Sequence, residues 1–154
     1  MHAAPVIDVV SDANVVIKWF HTEGEEEVEP ALALLEAHKA RQVALSILDL
    51  TPYEVGNALL LGRAQASSDQ VSVVLGALRQ ICPILSPNAD QMQLAAEIAK
   101  RRNLTLYDAA YAAVALDRKA TLVTLDAALL RANLGLRPSD RVTRLRDSAY
   151  PGLG

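Results

Sequence analysis

The chain has a single cysteine, Cys82, which excludes an internal disulfide and any cysteine-rich metal centre. Its histidines, His2, His21 and His38, are scattered without the paired spacing that zinc requires, and each reads as surface or core filler. The glycines form neither G-x-G-x-x-G nor a P-loop, so nucleotide cofactors have no obvious seat, and no G-x-S-x-G elbow presents a serine nucleophile. No stretch approaches the roughly 18 uninterrupted apolar residues of a membrane span, because Lys, Arg, Asp or Glu interrupts every Ala/Leu-rich segment. The opening Met1-His2-Ala3-Ala4-Pro5 lacks the charged and apolar blocks of a signal peptide, so the expected setting is cytoplasmic, with no membrane partner. No repeat or linker divides the 154 residues, and a hydrophobic content of 51% is enough to bury a core.

What is present is an alternation of apolar strands and helices. Val6-Ile7-Asp8-Val9-Val10 predicts a first buried strand over 6–10, followed by a short helix over 13–20 and a helix over 25–40. Glu25-Glu26-Glu27 and Glu29 are expected to form the solvated first turns of that helix, where acids complement the dipole. A second strand is expected over 43–47 and helices over 52–65 and 69–81, with Ala66-Ser67-Ser68 as the break and Ser68 or Asp69 as the cap. Pro83-Ile84-Leu85 is short and next to prolines, an edge strand or merely extended chain. Asn88 is expected to cap a helix to 102; a helix over 106–118 and a strand over 121–125 follow. Gly135 fits a helix C′ position, Arg141 to Leu145 a final strand, and Ser148 to Gly154 a loose tail after a single domain over 1–147. The consistent class is α/β, with a central, mainly parallel sheet of four to five strands flanked by helices.

Four acids stand at the joints of this pattern. Asp12 and Asp126 close strands, whereas Glu54 in Thr51-Pro52-Tyr53-Glu54 and Asp108 in Thr105-Leu106-Tyr107-Asp108 open helices. Each has a plain local use: Thr51 with Glu54 makes a capping box, Thr105 with Asp108 nearly another, Asp126 a cap and Asp12 a turn residue. A parallel sheet changes the picture, because strand ends and the helix starts that follow them share one edge. Two unit charges about 4 Å apart repel by roughly 4 kcal/mol at an effective dielectric near 20, so clustered carboxylates require protons or a cation. Oxygen-only ligands favour a hard divalent ion such as magnesium or manganese.

The net charge of −3 conceals an asymmetry. Residues through Glu97 carry 5 basic and 13 acidic side chains (−8), and the remainder carries 10 basic and 5 acidic (+5). Lys100-Arg101-Arg102, Arg118-Lys119 and Arg137, Arg141, Arg144 and Arg146 supply groups that could contact phosphates, or that simply favour helix ends. Trp19 and Phe20 are expected to pack against the sheet rather than stack bases.

Taken in order, Asp12-Ala13-Asn14-Val15-Val16-Ile17-Lys18-Trp19-Phe20, Pro52-Tyr53-Glu54-Val55-Gly56-Asn57-Ala58-Leu59, Leu106-Tyr107-Asp108-Ala109-Ala110-Tyr111-Ala112-Ala113 and Leu122-Val123-Thr124-Leu125-Asp126 resemble the PIN-domain ribonucleases. The VapC-type toxins of toxin–antitoxin pairs are the nearest likeness. That resemblance implies a three-layer PIN-like fold and a metal-dependent endoribonuclease. Asp12, Glu54, Asp108 and Asp126 would hold one or two magnesium or manganese ions that activate water against an RNA phosphodiester. It also implies supporting roles for Thr124 and Asn57, a homodimer and a cognate antitoxin. Asn14 stands where the family often has Ser or Thr. Two other readings remain open at this stage. One is a non-catalytic interaction module, with Val71 to Ile81 as a partner-binding helix. The other is a haloacid-dehalogenase-like phosphatase, which would need an aspartate where this chain has Asn14.

Overall fold

A computed structural model describes residues 5–149. Strand β1 (Ile7–Ser11) lies in the middle of a four-stranded sheet with β2 (Val43–Leu48), β3 (Ile84–Leu85) and β4 (Thr121–Val123), in the order β3-β2-β1-β4. All three pairings are parallel, with Val9 opposite Leu45 on one side and Thr121 on the other. The short Pro83-flanked run is therefore an edge strand.

Helices cover both faces: α1 (Ala13–Val16), α2 (Val28–Lys39), α3 (Thr51–Leu61), α4 (Ser68–Ile81), α5 (Ala89–Arg102), α6 (Leu106–Arg118), α7 (Ala127–Arg131) and α8 (Pro138–Ala149). Successive residues of β1 point to opposite faces, so Val9 and Val10 enter different cores. Val9 packs with Val15, Leu34, Leu45, Val55 and Leu78. Val10 packs with Leu122, Leu129 and the run Ala109–Ala115 of α6, buried along its whole length. Burying one such valine stabilises the fold by roughly 1.5–3 kcal/mol. Small alanines bring α6 close to the sheet, and α5 covers it on the far side. The result is the expected three layers. Among the described residues no helix is long and apolar enough to cross a membrane.

Several boundaries differ from the sequence reading for local reasons. Helix α2 starts at Val28 rather than at residue 25, because Glu25 and Glu27 are drawn into tertiary contacts instead of a solvated first turn. Glu27 adopts a left-handed conformation (φ 58°), and its carboxylate accepts hydrogen bonds from Ser139 N (2.8 Å) and Oγ (2.7 Å) at the start of α8. Helix α3 ends at Leu61, and α4 is capped by Ser67 rather than Ser68 or Asp69, with Gln70 returning the bond as a capping box. Asn88 caps α5 in the same reciprocal way, as expected.

Residues Arg141 to Leu145 form no strand. They belong to α8, which opens with Pro138 and places Val142 and Leu145 three residues apart against the core. The helix reaches Ala149, so the expected tail from Ser148 begins inside it; residues 150–154 lie outside the described residues. Gly135 does not end a helix either. Asn133 takes the left-handed position (φ 61°) after α7, with Leu134 N bonded to Leu129 O in a Schellman closure. Gly135 is needed for closeness: a Cβ there would lie 2.7 Å from Thr124 Cγ2 and 3.2 Å from Leu122 O. His38 accepts a bond from Leu45 N at Nδ1 and lies 2.8 Å from Ile81 O at Nε2, a structural role that ties α2 to β2 and α4.

Candidate active site

The exits of β1 and β4 meet the starts of α3 and α6 at one cavity of about 500 Å³, lined by Asp12, Glu54, Asp108 and Asp126 together. Asp12 follows the central strand and is 4% exposed. Its Oδ1 accepts the Ala13 amide at 2.7 Å and its Oδ2 accepts the Thr124 hydroxyl at 2.7 Å. Burial pushes its carboxyl from 3.8 up to about 7 against the lowering effect of Thr124, and Glu54 and Asp108 add repulsion. Glu54 is raised by burial first and by Asp108 next, while the Tyr111 hydroxyl, donating at 2.7 Å, opposes the rise. Asp108 is likewise raised by burial and then by Asp126.

The acids thus feel one another as a chain of repulsions. Among the described residues no three of them approach to the spacing of a ready-made ligand set. An ion that keeps several waters needs only one or two of them directly. The donor set fits a hard divalent cation: the side chains with oxygen atoms that line the cavity are carboxylates and the Asn14 amide, and among the described residues no histidine or cysteine lines it. A bound dication would also reverse the burial penalty on Asp12.

A PIN domain family model matches residues 9–134. The chain belongs to the PIN-domain family. "Exonuclease VapC9" of Pyrobaculum aerophilum is 37% identical over 115 residues, covering 68% of this chain and 82% of that protein. The crystal structure of PAE2754 from Pyrobaculum aerophilum superposes with a TM-score of 0.66 at 26% identity, over 94% of this chain and 98% of that one. A toxin–antitoxin complex from Klebsiella pneumoniae shares the fold at 20% identity, with a TM-score of 0.62 over 84% and 97%. The protein is a VapC-like PIN-domain nuclease. The phosphatase alternative falls with this assignment, and Asn14, where it needs an aspartate, uses its amide oxygen to accept the Leu125 amide at 3.2 Å.

Within this PIN domain the supporting residues separate. Thr124 is fully buried and joins two acids, donating to Asp12 and accepting the Asp126 amide at 3.0 Å. Asn14 lines the acid cavity, but Asn57 does not: it is exposed and borders a different cavity between α3 and α4. The capping reading also divides. Asp126 caps α7 through Leu129 N (2.9 Å), Asp12 caps α1, and Thr105 caps α6 through Asp108 N (3.1 Å). Thr51 makes no capping box with Glu54. It lies inside the helix, where its hydroxyl accepts the Leu48 amide at 3.0 Å and meets Tyr111 Oη at 2.6 Å.

Three contributors escaped the sequence reading. Tyr111, fully buried and with its hydroxyl pushed well up by burial and by Asp12 and Glu54, holds Glu54. Its signal was present, because it follows Asp108 by three residues and so shares that helix face. Lys18 and Glu25 line the same cavity as a 2.8 Å ion pair, which no spacing rule announces. Of the basic clusters, Lys100–Arg102 ends α5 just before the α6 turn that carries Asp108, whereas Arg118 and Lys119 close α6 some 15 Å away along its axis. Arg141 is buried, not a free phosphate contact.

Proposed function

We propose that the protein is a metal-dependent endoribonuclease, the toxin of a toxin–antitoxin pair, in which Asp12, Glu54, Asp108 and Asp126 hold magnesium or manganese and carry catalysis. The observation that carries this reading is the meeting of four carboxylates from four distant segments on one cavity, with Asp12 buried at their centre and raised to about 7. A divalent ion, when bound, supplies a water acidic enough to attack phosphorus and offsets charge on the phosphate. Hydrolysis would join a water oxygen to phosphorus and release one ribose oxygen, which would take up the proton.

The chain's own residues prepare the site for this step. Thr124 and the Ala13 amide fix both oxygens of Asp12, and Tyr111 fixes one oxygen of Glu54, leaving the other open. Among the described residues no histidine lines the cavity, so none of them offers the proton an imidazole base. Surfaces elsewhere support protein partners, an antitoxin and a second copy: Tyr53, Leu61 and Val73 on α3 and α4 are 79%, 84% and 73% exposed.

The decisive assay uses a covalently closed RNA circle with magnesium, manganese or chelator. Metal-dependent opening of the circle that vanishes in Asp12→Asn is the expected result. Cleavage that persists in chelator overturns the reading, and digestion of linear RNA alone reassigns it to exonuclease action.

A further inference from the structure

Lys18 presents an unusual combination. Among the described residues it is the one cation lining the acid cavity, and its side chain is only 4% exposed. Its ammonium is held 2.8 Å from Glu25 Oε2 on the segment before α2. Burying the Lys18 ammonium against a part-exposed Glu25 is a poor stabilising device, since desolvation of the ammonium offsets much of the Coulomb gain. Placed on the wall of a cavity that must admit a polyanion, the same pair has a use.

Resting on the nuclease reading above, we propose that Lys18 is a phosphate-positioning residue, kept in reserve by Glu25 and released to a backbone phosphate of the nucleic-acid substrate when it enters the cavity. Three observations support the exchange. An ammonium is a compact charge with three donors, suited to a single phosphate oxygen. Glu25 has another cation to turn to: Lys18 first, and Arg63 after it, hold its carboxyl below the usual carboxylate range. The segment is already placed for that turn, because Gly24 is left-handed (φ 71°), its carbonyl accepts from Arg63, and a Cβ on it would lie 3.1 Å from Arg63 Nη1. Meanwhile Glu25 keeps the ammonium from being drawn onto the four acids, where it would compete with the metal.

The exchange makes the two partners of one ion pair behave oppositely. Steady-state cleavage of a labelled single-stranded RNA in magnesium, at several sodium chloride concentrations, is the test. Lys18→Gln is expected to raise KM about tenfold or more, the worth of one charge-assisted bond. It should also reduce the slope of log KM against log salt by about 0.7, one phosphate contact on a single strand. Lys18→Arg should restore the slope. Glu25→Gln should lower KM severalfold with kcat nearly constant, and this arm stands even if Lys18→Gln folds poorly. A merely structural pair predicts instead that both variants lose activity together with an unchanged slope; that result overturns the inference while leaving the nuclease in place. Wild-type protein that cleaves no RNA with either metal overturns both.

Discussion

The burial of Asp12 makes the metal-free protein sensitive to pH in a calculable way. At roughly 1.4 kcal/mol per pH unit, a carboxyl raised from 3.8 to about 7 costs the native state roughly 4 kcal/mol once it is ionised. As pH climbs from about 4, the unfolded chain gives up this proton while the native chain keeps it until about 7, so the unfolded state binds fewer protons and stability falls. Above that range the loss is complete and stability levels. Glu54 and Asp108, also raised, act with the same sign. Asp12→Asn removes the charge and keeps the Oδ1 bond to Ala13, but it leaves the Thr124 proton without its acceptor, at about 1 kcal/mol. In chelator at pH 8 the variant should therefore be about 3 kcal/mol more stable than wild type, and at pH 5, where the unfolded chain has already given up this proton, by less than about 1 kcal/mol. Magnesium at a hundred times its Kd should return about 2.7 kcal/mol to wild type and nothing to the variant. Urea unfolding followed by fluorescence of the sole tryptophan, Trp19, measures all of these. Equal wild-type stability in chelator at both pH values, or a variant weaker at both, would refute the account.

Other substitutions probe the supports. Thr124→Val strips Asp12 of its donor and the Asp126 amide of its acceptor, and should cost about 1–3 kcal/mol in urea unfolding and about 10- to 100-fold in magnesium affinity by calorimetry. Tyr111→Phe frees Glu54 Oε1 and should weaken metal binding by about tenfold; unchanged affinity would deny Tyr111 any part in the site. Gly135→Ala drives a methyl against Thr124 and should lower stability by about 1–3 kcal/mol with a parallel loss of RNA cleavage. Asp126→Asn should leave stability nearly unchanged, because asparagine caps as well as aspartate, yet abolish metal-dependent cleavage.

The sheet and both cores were readable because β-branched runs and helical spacing are local signals. The site was readable in its anions, since topology alone carries strand exits and helix starts to one edge. What escaped was tertiary. Glu25 and Glu27 look like a dipole-complementing helix start until Lys18 and Ser139 claim them. Arg141 to Leu145 carries the β-branched pair Val142-Thr143 that favours a strand, yet Pro138 sets a helix and the core takes Val142 and Leu145 three apart. Asn57 follows Glu54 at a spacing that suggests a shared face, but faces the α3–α4 cavity instead. Gly135 offered left-handed freedom, and the fold uses its lack of a side chain.

Capping and metal binding are not rival explanations of these acids. Each carboxylate oxygen has two lone pairs, and a hydrogen bond uses one: Asp12 and Asp126 each commit one at Oδ1 to an amide, and Asp12 another at Oδ2 to Thr124. A cap fixes the side chain's rotamer, which is what a ligand needs before the ion arrives, since an acid already oriented loses less freedom on binding. The same amides lie at helix starts, where partial positive charge favours anions and lets several carboxylates share one cavity. That favour is incomplete, as the raised Asp12, Glu54 and Asp108 show. The repulsion left over is a driving force that a dication would relieve, so the strain among these acids would itself supply affinity for one.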